Sequence, residues 1–348
     1  MAQQSEDYSG SKLEKQINEF FEKKNILEIP FDCFDENKVE TISTELPSNS
    51  YKAFSEKYNK TMILNKIVFS QKYTFKDFIT NLKQHQEVEL HYNILKILGA
   101  TRQRPKEIML VLEYADSGTL CQYLEQNSSS ISWKEKLRLA KQLTSAVKFL
   151  HENNIIHMNL HSENIFVHKD DIKLNEFGTS RYQIYFSNIY KFIQYIDPQY
   201  LQSIETYKLN KSSDIYSIGI LLWQISSGVI PFESESPYGY DLLNAIIHGK
   251  RENEIPGTPK GYVKIYEECW QYNSYKRPSI QRVFEDLSAP DSSNDIIMEN
   301  RDFQMPDDKL EMGNLSVANL LQHYTELYNE KTKELELISS VIATFQKT

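Results

Sequence analysis

Cysteine is scarce in this sequence: three in 348 residues, Cys33, Cys121 and Cys269, far apart along the chain. That excludes a disulfide framework, which needs an even set, and a zinc site, which needs closely spaced ligands. The compartment expected is reducing, intracellular and cytoplasmic. Long apolar runs are also missing. The longest candidate, "IYSIGILLW" at 215–223, has the length of a buried helix and falls well short of the roughly 18 uninterrupted apolar residues of a membrane span. The opening "MAQQSEDYSG" lacks the charged and apolar regions of a secretory signal. Positive charge is not concentrated either. The net charge is −9 and the 39 Lys and Arg residues are scattered, so the phosphate footprint of a nucleic-acid binder is absent. No internal repeat or low-complexity tract is found.

What is present is enough apolar material, 40% of residues, to fill the core of one large bilobal domain or two ordinary ones. Residues 1–34 form a leader in which Leu13, Ile17, Phe20 and Lys24 recur at helical spacing behind a charged face, predicting a short amphipathic helix. "KVETIST", "TMILNKIVF" and "EIMLVLEY" are β-rich runs, with a helical stretch, "TFKDFITNLKQHQEV", between the second and third. From Gly118 the pattern turns helical. Ser132 and Glu135 make a capping box, and Leu139, Leu143, Ala146, Val147 and Leu150 follow as one buried stripe. "NIFVHKDDIKL" reads as a hairpin around Lys169-Asp170-Asp171. A second helical block runs from "KSSDIYSIGILLWQISSG" to about Leu287.

Residues 288–314 read as an acidic linker. Beyond it Val317, Leu321, Tyr324, Tyr328, Leu335, Ile338, Ile342 and Phe345 alternate four and three apart, interrupted only by Lys331. This heptad pattern over 315–348 predicts a long helix whose seam either pairs as a coiled coil or packs back on its own domain.

Seven stretches in order, "NILKILG", "VLEYADSGTLCQYL", "HMNLHSENIFV", "IKLNEFG", "YIDPQYL", "KSSDIYSIGILLWQISSGVIPF" and "CWQYNSYKRPSI", give residues 35–287 a resemblance to the protein kinases, most closely the tyrosine-kinase-like branch. The resemblance implies an α+β, bilobal protein-kinase-like fold, with a small β-rich lobe over 35–114 and a larger helical lobe over 115–287, plus the C-terminal helix. It implies ATP and Mg²⁺ as cofactors, Glu113 to Ala115 as the hinge between the lobes, and Leu112 as the gatekeeper.

The chemistry the resemblance implies meets a series of departures. The glycine-rich loop falls within "ISTELPSNSYKAF", which has no glycine and includes Pro47. The phosphate-holding lysine aligns with Asn65, uncharged and short; a one-residue slip brings in Lys66 but turns its neighbours to the other face. The residue over the adenine becomes Ile63 or Leu64. The glutamate that pairs with the lysine aligns with Asn81, one turn after Asp77. His157-Met158-Asn159 stands for His-Arg-Asp, so Asn159 takes the catalytic aspartate's place; loss of a general base costs roughly 10²- to 10⁴-fold. Met158 removes the arginine that would receive a phosphorylated activation segment. Glu176-Phe177-Gly178 stands for Asp-Phe-Gly, leaving Asn164 and Glu176 as the metal ligands, although Mg²⁺ tolerates little departure from oxygens at about 2.0–2.1 Å.

The architectural positions persist. His157, Phe177 and Ile97 are expected in an apolar stack, with His85 a polar member, and Asp214 is expected to hold the catalytic-loop backbone. Arg277 faces Gln199 where the family has glutamate, so its buried link is expected to be a charged-neutral hydrogen bond. Tyr182, Tyr185, Tyr190 and Tyr195 crowd the activation segment as phosphorylation targets or as packing. His161 lacks the lysine associated with Ser/Thr kinases.

Groups that touch nucleotide, metal or acceptor are changed, while groups that build the large lobe are kept. The sequence therefore reads as a pseudokinase and not an enzyme, a scaffold or allosteric partner whose contacts, with an active kinase or a second copy, run through 317–345. The alternatives are a residual ATP-dependent protein kinase acting on Ser/Thr or Tyr, and a nucleotide-gated binding switch.

Overall fold

The computed structural model describes residues 15, 17–23, 26–35, 39–41, 50–67, 69, 74–104, 107–128, 130–175, 192–203, 206–233 and 240–289. The heptad-patterned tail, the acidic linker after residue 289, residues 42–49 of the expected phosphate loop, Glu176 to Gly178, and Tyr182, Tyr185 and Tyr190 lie outside them. The chain divides into two compact units, residues 1–197 with 209–296 and residues 198–208 with 297–348.

The first unit begins with an antiparallel sheet of β1 (Glu40–Thr41), β2 (Ser50–Ser55), β3 (Lys60–Lys66), β4 (Ile97–Arg104) and β5 (Glu107–Glu113) in the order β1-β2-β3-β5-β4. Helix α1 (Phe75–Val88) lies between β3 and β4 in sequence. It starts at a reciprocal cap: the Asp77 amide donates to Thr74 Oγ1, and Asp77 Oδ2 accepts from the Thr74 amide at 2.9 Å. Asp77 is thus a capping carboxylate, while Lys66 Nζ lies 3.4 Å from Glu107. The leader joins this half physically. Ile17 and Phe21 are buried against Phe78, Leu82, Ala100 and Ile108, because an apolar helix face needs cover.

Next come α2 (Leu120–Asn127) and α3 (Trp133–Glu152), the latter opened by the expected Ser132–Glu135 box and burying Leu139, Leu143, Ala146, Val147 and Leu150. The hairpin β6 (Ile165–His168) to β7 (Asp171–Leu174) turns through Lys169 and Asp170, at φ 50° and 64°. Two left-handed residues match the twist of a tight hairpin, so Asp171 belongs to the strand rather than the turn. The β4 approach is stitched to this hairpin: the Leu95 amide donates to Leu174 O at 2.9 Å and the Leu174 amide to Asn93 O at 2.8 Å.

In the second unit the described residues form α4 (Pro198–Gln202), after which the Tyr207 amide donates to Ser203 O at 2.8 Å. The first unit resumes with α5 (Lys211–Ser227), α6 (Tyr240–Ile247), α7 (Lys260–Cys269) and α8 (Ile280–Ser288). α5 is buried on every side from Ser213 to Ser226, its apolar run 218–223 carrying no polar face and Asp214 bonded within the core. Gly228 ends it in the left-handed conformation, φ 81°, its amide bonded to Gln224 O at 2.8 Å. Around α5 pack the α3 stripe and Tyr262 and Tyr266 of α7, while Val283 and Leu287 of α8 join the same core through α3 and α7. Among the described residues no helix is long and apolar enough to cross a membrane.

One buried charge departs from the sequence reading. The Arg277 guanidinium is bidentate on Asp197, 2.8 Å on both arms, and donates further to the carbonyls of Gln271, Ser212 and Tyr272. Its buried link is a full ion pair with a carboxylate 80 residues away, not a bond to a neutral amide. Removing one partner strands the other charge, so Arg277→Leu is expected to cost about 3–5 kcal/mol. Urea unfolding measures this as a lower midpoint at unchanged slope; a loss under about 1 kcal/mol contradicts it.

Candidate functional site

Strand pairing decides which side chains share a face. Ile63 pairs with Leu112 and Asn65 with Leu110, whereas Leu64 pairs with Val111 and Lys66 with Met109. Strand alternation then puts Ile63 and Asn65 on one face and Leu64 and Lys66 on the other. Lys66 does not reach the Asn65 face by a slipped register; it sits beside Glu107 behind the sheet. Of the two candidates for the residue over the site, Ile63 stands on the site face, and Leu64 packs with Met62, Met109 and Val111 in the core behind.

Ile63 does not overlook an open slot. It is 2% exposed and shares one apolar cluster with Leu95, Leu112, Ala115 and, from β6 on the opposite side, Phe166, itself 7% exposed. The segment after β5 is zipped onto β6: the Ser117 amide donates to Val167 O at 3.1 Å and the Val167 amide to Gly118 O at 2.9 Å. Glu113 turns to protein partners. Its carboxylate accepts from the Lys96 amide at 3.1 Å and lies 3.6 Å from Lys173 Nζ, a buried ammonium that also donates to Tyr92 O at 2.6 Å.

The loop after α3 hangs on one carboxylate. Asp214 Oδ2 accepts from the His157 amide and lies 2.8 Å from His151 Nε2, while Oδ1 accepts from the Met158 amide at 2.8 Å. Met158 is held at φ 67°, a conformation that L-residues other than glycine rarely adopt. Next to it, the Asn159 amide donates to His157 Nδ1 at 3.3 Å. Asn164 Nδ2 donates to Asn159 O at 3.2 Å, so these two residues come together with Asn164 bracing its own loop. The His161 ring stacks on Phe192 with centroids 3.9 Å apart. Tyr195 is packed rather than presented: its buried hydroxyl bonds to Gln224 and Ser162, and burial pushes the phenol pKa well up.

Of the residues singled out by sequence, Ala115 meets Ile63 in the apolar cluster, Asn159 meets Asn164, and Lys66 and Glu113 are engaged elsewhere; Glu176 lies outside the described residues. Phe166, Lys173 and His151 were not anticipated. Lys173 carries a local signal, a lysine alternating into an otherwise apolar strand; Phe166 and His151 gain their meaning only from residues far away in sequence. Among the described residues no three His, Cys, Asp or Glu side chains gather as metal ligands.

Burial removes water from two imidazoles, His157 and His85, and pushes each pKa down to about 4, with Asp214 opposing the effect at His157. The native state therefore refuses protons that the unfolded chain takes up near pH 6.5. Stability is expected to fall as pH drops from about 6.5 to 4 and to level off below, each ring contributing about 3 kcal/mol. In urea unfolding at pH 7 and pH 4.5, His85→Leu is expected to remove roughly half of this loss. An undiminished loss rules out His85 as a source.

A model described as protein tyrosine and serine/threonine kinase matches residues 46–287. Similar proteins include the mitogen-activated protein kinase kinase kinase dlk-1 of Caenorhabditis elegans, 27% identical over 79% of this chain and 28% of that protein. A leaf rust 10 disease-resistance locus receptor-like protein kinase-like 1.3 of Arabidopsis thaliana is 34% identical over 60% of this chain and 34% of its own length. The tyrosine-protein kinase transforming protein Fps of an avian sarcoma virus is 26% identical over 60% of this chain and 39% of its own. The match thus spans well under half the length of each of these relatives. With a sheet-built small lobe, a helical large lobe and the family's model matched across both, the chain belongs to the protein tyrosine and serine/threonine kinase family.

Proposed function

We propose that this protein is a signalling member of the kinase family with impaired catalysis, acting inside the cell by contact as a scaffold or allosteric partner. The observation that carries this reading is the burial of Ile63 in one cluster with Leu112, Ala115 and Phe166. A planar base needs room between the sheet and β6, and apolar side chains occupy that room. The family's cofactors, ATP and Mg²⁺, are a poor fit to these residues. Asn65 brings no charge to phosphate, Asn81 has no carboxylate with which to pair a lysine, and an amide at Asn159 is not a base near neutral pH. The heptad-spaced residues 317–345, outside the described residues, supply the contact segment by sequence, toward an active kinase or a second copy.

Ligands that bind the native state raise stability by RT ln(1 + [L]/Kd). Thermal unfolding of the full chain with millimolar ATP, in Mg²⁺ and in chelator, is expected to show no shift of the midpoint. A shift that requires Mg²⁺ overturns the proposal in favour of residual catalysis through Asn164 and Glu176. A metal-independent shift favours a nucleotide-gated switch instead.

A further inference from the structure

Helix α1 has two faces to satisfy, and the sequence supplies one of its fasteners from far away. Toward the sheet it buries Phe78, Leu82 and His85, with Phe75 and Ile79 partly buried. No charged pair can bind it to β3 through Asn65 and Asn81, because neither carries a charge. Against this helix lies the N-terminal segment. Helical residues 17–23 place Ile17 and Phe21, 1% and 3% exposed, in the same cluster as Phe78, Leu82, Ala100 and Ile108.

After the helix, residues 27–29 pair with β4 at one residue. The Ile29 amide donates to Ala100 O at 2.8 Å and the Ala100 amide to Leu27 O at 2.9 Å, a parallel bridge on the outer edge of β4. A charged clamp lies across the junction: Arg102 Nη2 is 2.7 Å from Glu28, and its guanidinium lies 5.8 Å from the Phe21 ring centre. Gly99 makes the approach possible, since a Cβ there would sit 2.3 Å from Leu27 O. Apolar burial, main-chain bonds, an ion pair and a glycine-only contact thus converge on one seam.

We infer that residues 17–23 and 26–29 form a built-in strap that fastens α1 against β4, performing by apolar packing the positioning that Asn65 and Asn81 cannot perform by charge. The strap ties the helix to the sheet edge through the chain itself, so α1 is held without any ligand in the site. This goes beyond the proposed function, because it holds whether or not nucleotide binds. Release of the strap would free α1 and uncover Phe78 and Leu82 together, making the N-terminal segment the point at which the small lobe is controlled.

Hydrogen exchange followed by mass spectrometry on the full chain tests this, comparing wild type with Phe21→Ala and, separately, Gly99→Ala. Phe21→Ala removes an anchor from the strap; Gly99→Ala pushes the bridged segment away at Leu27 and leaves the strap's own sequence intact. Both are expected to speed exchange in residues 75–88 by about tenfold or more, with α3 and α5 unchanged, as a local opening requires. Faster exchange in 17–29 with α1 unaffected overturns the inference, and so does an equal acceleration throughout α3 and α5. Should Phe21→Ala fail to fold, Gly99→Ala decides alone by the same criteria.

Discussion

The Asp214 carboxylate is the constraint on which the large lobe's loop depends. It is 1% exposed and engages His151, the His157 amide and the Met158 amide at once. Those bonds hold Met158 in a left-handed conformation that costs an L-residue roughly 1–2 kcal/mol. The two that reach the loop go to backbone amides, so they are blind to the side chains at 158 and 159. Methionine and asparagine can stand in the loop without altering its course. This separation of shape from chemistry lets a kinase architecture persist where the reacting groups have changed.

The small lobe follows a related logic with different means. Cross-strand pairing sets which residues face the site, and on that face Ile63 is packed as core rather than displayed as a wall. Fully burying such a side chain is worth about 1.5–3 kcal/mol, a gain that an open slot forgoes. Tightening continues behind, where Glu113 is bound by the Lys96 amide and faces Lys173. Groups near a site of this kind can serve either a ligand or the fold, and here the described ones serve the fold.

Much of this was legible because it is local. The Ser132–Glu135 box, the α3 stripe, the apolar run 215–223 of α5 and the polar hairpin tip each declare themselves within one or two turns of chain. What was hidden depends on distant partners. The β4 sequence, "ILGATRQR", reads poorly as a strand, because its glycine and arginines answer to residues 21, 27 and 28 rather than to a repeating pattern. Choosing between Asn65 and Lys66 needed the pairing with β5, and the true partner of Arg277 lies 80 residues away. The Thr74–Asp77 cap is local, a threonine followed three residues on by an acid at the head of the helix.

The covered edge of β4 has a consequence for recognition. A free edge strand offers main-chain donors and acceptors to any extended peptide, the simplest form of β-augmentation and a common start of aggregation. Here residues 27–29 already take that place, accepting from and donating to Ala100. At Ala100 the edge is closed to partners that read backbone alone, so a partner that docks at this point has to recognise it by its side chains.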